Sequence, residues 1–274
     1  MKLYKTTQGI IIEASEKFYL SDAKDWDAYV NQNNLFEAIQ TDVQSLNEIS
    51  WDYHGILAPI SNQEIWASGV TYMRSREARM DESKDSGGAD FYAKVYEAER
   101  PELFFKSTAA RCVGTGEKVR IRKDSQWNVP EPELTLFINQ SGKIVGYTIG
   151  NDMSSRDIEG ENPLYLPQAK SYDKAAAIGP CLYVPEDVIN PDTQISIEII
   201  RNETVMFSGD VSINRIKRKL TDLAHYLFRE MSFPNGAYLM TGTGIVPDND
   251  FTLLSGDVVN ITIEEIGTLS NEVE

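Results

Sequence analysis

The 274-residue sequence predicts an α+β chain whose core is mostly β, and three patterns carry that expectation. Short runs of alternating or continuous apolar residues recur after Arg111, a densely charged helix-prone stretch precedes them, and a helical pattern stands near the N-terminus. The strand candidates are Lys118–Arg122, Leu134–Ile138, Ile144–Ile149, Ile195–Ile200, Thr204–Phe207 and Val258–Ile263. Asn139-Gln-Ser-Gly142 reads as a hairpin turn between the second and third of these. A longer helix is expected over Lys219–Met231.

Residues 1–60 read as a small N-terminal α/β region, with a strand at Gly9–Ala14 and a helical pattern around Leu35–Ile39. The turn and breaker residues of Leu57–Asn62 place a boundary there, so that 61–274 forms the principal domain. Within it, residues 72–100 read as two helices broken by Asp85-Ser-Gly-Gly-Ala-Asp90. That is the pattern of a helical lid with an elbow, or of a solvated helical hairpin.

Lys and Arg total 26 against 42 Asp and Glu, a formal charge of −16. Such a chain repels nucleic acid and anionic membrane surfaces, so neither is an expected partner. An anionic metabolite would need a local positive centre. The two cysteines, Cys112 and Cys181, lack metal or disulfide spacing. Neither a secretory leader pattern nor an apolar run of roughly 18 residues is present, and a soluble cytoplasmic protein is expected.

Chemistry-bearing residues cluster in the middle of the chain. In Pro130-Glu131-Pro132-Glu133-Leu134 an extended backbone puts both carboxylates on one face, which favours a cation, although any single E-x-E is also read as two solvated charges. Gly146-Tyr-Thr-Ile-Gly-Asn-Asp152 runs a strand into a polar stretch ending at Asp152, a carboxylate that could equally cap a helix. Arg156-Asp157 follows, and Arg156 is expected to pair with Asp157 or a neighbouring carboxylate and so brace the site. Lys170 comes next, in Leu166-Pro-Gln-Ala-Lys-Ser-Tyr-Asp173, ahead of Gly179-Pro180.

Taken in order, and together with Met240-Thr-Gly-Thr-Gly244, Gly256-Asp-Val-Val and Gly267-x-Leu-x-Asn271, these stretches resemble the fumarylacetoacetate hydrolase family from Ile65 to the C-terminus. The resemblance implies a mixed β-roll or barrel core of that family's C-terminal type and a homodimer or tetramer. It also implies a metal site of Glu131, Glu133 and Asp152 beside an active-site Lys170. Three carboxylates with open positions suit Mg²⁺, with Mn²⁺ or Ca²⁺ as substitutes. The implied ligand is a small 2-oxo acid, chelated through its carboxylate and 2-oxo oxygen.

Hydrolases of the family carry a histidine on the lid, and the corresponding run here, Gly69-Val-Thr-Tyr-Met-Arg-Ser-Arg-Glu77, has none. His54 and His225 both lie elsewhere and read as structural. Acid–base work therefore falls to Glu102 and Lys170. Ser68, Thr71, Arg76, Lys106, Thr241 and Thr243 are the expected substrate contacts.

The stretches Ala98–Lys106, Glu161–Gln168 and Thr241–Pro247 resemble the family's dehydratase branch. The implied reaction is Mg²⁺-dependent conversion of 2-keto-3-deoxy-D-arabinonate to 2,5-dioxopentanoate through an enolate. The alternatives are carbon–carbon hydrolysis of an acylpyruvate or a 2,4-diketo-3-deoxy sugar acid, and a non-catalytic keto-acid binder.

Overall fold

A computed structural model of the chain describes residues 1–82 and 89–274, and the side chains of residues 1–80 and 92–274. Among the described residues the core is two packed sheets. The larger runs, edge to edge, through Glu48–Ile49, Lys17–Leu20, Gly9–Ala14, Lys2–Thr6, Ala176–Tyr183, Ile144–Asp152, Pro132–Ile138, Ala237–Met240, Glu64–Gly69 and Glu102–Thr108. Cys112–Val113 adds a short parallel strand beside Ala176–Tyr183. The smaller sheet is Thr204–Ser212, Gln194–Arg201, Val258–Ile263, Gly267–Val273 and Lys118–Val119. The α+β expectation stands, and so does a mixed sheet, because Glu64–Gly69 runs parallel to Ala237–Met240 while most neighbours are antiparallel.

Burial explains why these segments read as they do. Ile195, Ile197 and Ile199 point into the core while Gln194 and Glu198 face solvent, the alternation of a sheet wet on one side. Pro132–Ile138 is buried throughout because it lies between two cores. Leu134, Leu136 and Ile138 pack with Ile195, Ile199 and Val259 of the second sheet. Phe137, on the opposite face, packs with Trp26, Tyr29, Leu35 and Ile39 of the N-terminal region.

That region is continuous with the rest. Lys2–Thr6 pairs with Ala176–Tyr183 and carries three further strands outward, with helices Trp26–Val30 and Leu35–Ser45 beside them.

Helices Met73–Glu82 and Ala89–Glu97 occupy the stretch expected to form a lid or a solvated hairpin. Residues 85–88 of the expected elbow lie outside the described residues, and Ala89 and Asp90 open the second helix. Tyr92 and Tyr96 pack on Val70. Arg218 donates to the carbonyls of Val95, Ala98 and Glu99, and Lys217 to that of Tyr96 at 2.7 Å, so two cations satisfy the otherwise open C-terminal end of this helix. The expected helix near 219–231 spans Leu220–Phe228. Among the described residues no helix is long and apolar enough to cross a membrane.

The two-sided burial of the central strands predicts a sharp contrast in urea unfolding. Leu136→Ala should remove about 2–5 kcal/mol. Val205→Ala, on a strand position 52% exposed, should change stability by no more than about 0.5 kcal/mol. Equal effects at the two positions would rule out this layering.

Candidate metal and acid–base site

Strand direction brings the functional residues to one edge of the large sheet. Pro132–Ile138 starts there, and its antiparallel neighbours Ile144–Asp152 and Ala237–Met240 end there. Glu64–Gly69 also ends there, Glu102–Thr108 starts there, and Ala176–Tyr183 starts beside Asp152. Glu131 and Glu133 enter from the first strand and Asp152 terminates the second, so Asp152 is a strand end and not a helix cap. The backbone N–H of Asp152 donates to the Glu131 carbonyl at 3.0 Å, tying the two together.

One oxygen from each of Glu131, Glu133 and Asp152 lies within 4.8 Å of the others, and all three residues are buried. Three anions out of water demand compensation. Lys170, the last residue of helix Leu166–Lys170, donates to Glu131 Oε2 at 2.7 Å, Asp152 Oδ2 at 3.1 Å and Ser154 Oγ at 2.6 Å. Lys106 reaches Asp152 Oδ1 at 2.5 Å and donates to the carbonyls of Met153 and Lys170. A β-bulge opposite Ile65 and Trp66 aims it there. Arg156 donates to Glu131 Oε1 at 2.8 Å, the expected bracing role with Glu131 as its carboxylate. Asp157 instead accepts from Ser125, Ser155 and the Gln126 backbone.

The compensation is uneven. Burial opposes the Asp152 carboxylate, yet Lys106 and Lys170 outweigh it and hold the pKa below the ordinary value. Burial, followed by the like charges of Asp152 and Glu131, pushes Glu133 well above its ordinary range. Among the described residues no side chain forms an ion pair or hydrogen bond with Glu133, which accepts from the Gly242 backbone N–H at 2.6 Å. A divalent cation among the three carboxylates would supply what Glu133 lacks. The all-oxygen donor set fits a hard ion such as Mg²⁺.

Beside the triad is a small cavity lined by Ser68, Gly69, Arg79, Phe104, Arg156 and Thr243, among others. Glu102 pairs with Gly69 across the strands, and its carboxylate lies where a Gly69 side chain would be. Only glycine admits that approach. Glu102 Oε2 is buried and has no hydrogen-bond partner among the described residues.

The other expected contacts divide. Ser68 and Thr243 line the cavity, whereas the hydroxyls of Thr71 and Thr241 donate to the carbonyls of Thr241 and Leu134. Lys106 spends its hydrogens on the frame just described. Arg76 lies outside the cavity lining, its guanidinium 5.5 Å from the Tyr96 ring centroid. The arginine of that helix that does line the cavity is Arg79, one helical turn on and paired with buried Glu159. Burial opposes its charge, but Glu131, Glu102 and Tyr92 outweigh it and raise its pKa. Three-residue spacing from Arg76 was the signal for Arg79, and proximity to Asp152 that for Ser154. His54 and His225 are exposed and absent from the cavity lining.

The profile of the fumarylacetoacetate (FAA) hydrolase C-terminal family matches residues 65–274. The chain belongs to the fumarylacetoacetate hydrolase family. Within it, the chain is 45% identical over 247 residues to a probable 2-keto-3-deoxyxylonate dehydratase of Haloferax volcanii, covering 90% of this chain and 84% of that one. It is 45% identical over 221 residues to the 2-dehydro-3-deoxy-D-arabinonate dehydratase of Saccharolobus solfataricus, covering 80% and 74%. A solved structure, 2-keto-3-deoxy-D-arabinonate dehydratase complexed with magnesium and 2,5-dioxopentanoate, matches at TM-score 0.86 and 36% identity over 100% of this chain and 99% of that one.

The uneven compensation makes metal binding measurable without any substrate. Mg²⁺ at about a hundred times its dissociation constant should stabilise the protein by about 2.7 kcal/mol over an EDTA-treated sample, read as a rise in melting temperature. Glu133→Gln should abolish that rise while leaving the metal-free melt intact or higher. Identical melts with Mg²⁺ and EDTA would count against a cation at these carboxylates.

Proposed function

We propose that the chain is an Mg²⁺-dependent dehydratase that converts 2-keto-3-deoxy-D-arabinonate to 2,5-dioxopentanoate. The observation that carries this reading is the full-length likeness to the dehydratase solved with magnesium and 2,5-dioxopentanoate. The two differently named relatives agree chemically. A carbonyl at C2 and a methylene at C3 erase the centres that distinguish arabinonate from xylonate, so within the D series both dehydrate to one compound with a single stereocentre at C4.

Glu131, Glu133 and Asp152 would hold the Mg²⁺, for which Mn²⁺ or Ca²⁺ could substitute. Bound there, the ion supplies Lewis-acid polarisation of the 2-oxo group, which acidifies C3. The remaining work belongs to side chains. Glu102 offers a buried carboxylate oxygen with no competing hydrogen bond, the property wanted in a base that takes a proton from C3. Lys170 gives its hydrogens to Glu131, Asp152 and Ser154, so it enters as a donor, and we assign it the proton that leaves with the C4 hydroxyl.

Removal of H from C3 and OH from C4 gives water and an enone, which tautomerises to the C5 aldehyde. Arg79 and Thr243 line the same cavity as the triad, which supports them as contacts for an anionic, hydroxylated chain. The hydrolase alternative needs a water-activating base, and neither histidine is placed to serve as one.

Proton NMR of the Mg²⁺-loaded protein with 2-keto-3-deoxy-D-arabinonate should show 2,5-dioxopentanoate and no pyruvate. A parallel acylpyruvate sample should remain intact, and pyruvate formed only there would overturn the reading in favour of hydrolysis. Glu102→Gln should lower kcat by about 10²–10⁴-fold, with the Mg²⁺-dependent rise in melting temperature retained. Near-normal turnover in that variant would remove Glu102 from the chemistry.

A further inference from the structure

A second cavity opens away from the carboxylate triad, and its chemistry is the reverse of the chain's overall balance. Arg111, Arg120, Arg122 and Lys123 line it together with Asp124 and Asp173. Four cations against two carboxylates leave two net positive charges on a chain whose formal charge is −16.

The carboxylates are already engaged. Asp124 accepts two hydrogen bonds from Arg122, at 2.8 and 2.6 Å, and Asp173 lies 3.8 Å from Arg120. Arg111 and Lys123 have no carboxylate partner among the described residues, and the Nε of Arg111 is buried without a hydrogen-bond acceptor.

Tyr172, which also lines the cavity, holds a buried hydroxyl without a partner. Its ring is held by the Arg122 guanidinium, 5.6 Å from the centroid, and by the Lys106 ammonium at 5.9 Å. Ser171 donates to the Phe105 carbonyl at 2.9 Å and fixes the backbone beside it.

Two cations without a carboxylate partner, Arg111 and Lys123, on a cavity with two excess positive charges are complementary to a tetrahedral dianion. A monocarboxylate would satisfy half of that charge. We propose that this cavity is a binding site for a phosphate group, carried by a small phosphate monoester or present as the free ion, with Arg111 and Lys123 as its uncommitted cations. The proposal is independent of the reaction assigned to the triad.

Isothermal titration of inorganic phosphate, and separately of ribose 5-phosphate, into the Mg²⁺-loaded protein tests it. Saturable one-to-one binding is expected, weakened about tenfold or more by Arg111→Gln. Exposed Lys123 can be changed without disturbing the core, and Lys123→Gln should weaken binding by about threefold. Glu133→Gln should leave it unchanged, because the triad is not part of this site. Tighter binding of the ester would identify a phosphorylated metabolite as the ligand, and equal binding the free ion; both support the site. No saturation by about 10 mM of either probe would overturn the proposal. So would binding that survives both Arg111→Gln and Lys123→Gln, or binding lost in Glu133→Gln, which would place the anion on the metal.

Discussion

Three carboxylates buried at one sheet edge are the constraint around which the protein is arranged. Isolated charges of one sign cannot be kept in a low-dielectric interior, so cations must be delivered to them by separate parts of the chain. Lys170 comes from a short helix, Lys106 from a bulged strand and Arg156 from the start of another helix. Arg156 links the triad to helix Arg156–Glu161, whose Glu159 in turn meets Arg79 on helix Met73–Glu82. A continuous set of ion pairs therefore runs from the carboxylates to the helices that cover them. Glu133 alone stands outside this set, which leaves the site one positive partner short.

The same edge explains why chemistry from distant positions meets. A strand contributes its ends as well as its faces, and antiparallel order alternates starts with finishes. Residues near 68, 102, 131, 152, 170 and 242 are thereby neighbours, although they span most of the sequence.

Much of this was legible beforehand, for identifiable reasons. Glu131, Glu133, Asp152 and Lys170 sit in short stretches whose residue types and order are distinctive. The strands at Ile144, Gln194 and Val258 announce themselves by apolar periodicity, and the hairpin at Asn139 by its turn residues. Lys2–Thr6, Ala176–Tyr183 and Ala237–Met240 were not picked out as strands. Pro180 and several small residues dilute the pattern of the second, and the third is only four residues long. Side-chain destinations were hardest to read. Thr71 and Thr241 look like ligand-binding hydroxyls in sequence, but burial compels each to satisfy a backbone carbonyl. Arg76 and Arg79 differ by a single helical turn, and their neighbours, not their identities, decide which guanidinium faces the cavity.

The pairing of Lys2–Thr6 with Ala176–Tyr183 bears on what counts as a self-sufficient unit in this chain. The family profile begins at residue 65, whereas the hydrogen-bonded sheet does not. A chain cut at that profile boundary would strip Lys2–Thr6 from the Leu182–Tyr183 end of strand Ala176–Tyr183 and leave its backbone groups open, a sticky template for other strands. It would also uncover the face of Phe137, Ile178 and Tyr238. The first sixty residues thus act as a built-in chaperone for the far end of that strand and for an apolar face of the large sheet, and the family profile and the fold draw the borders of this protein in different places.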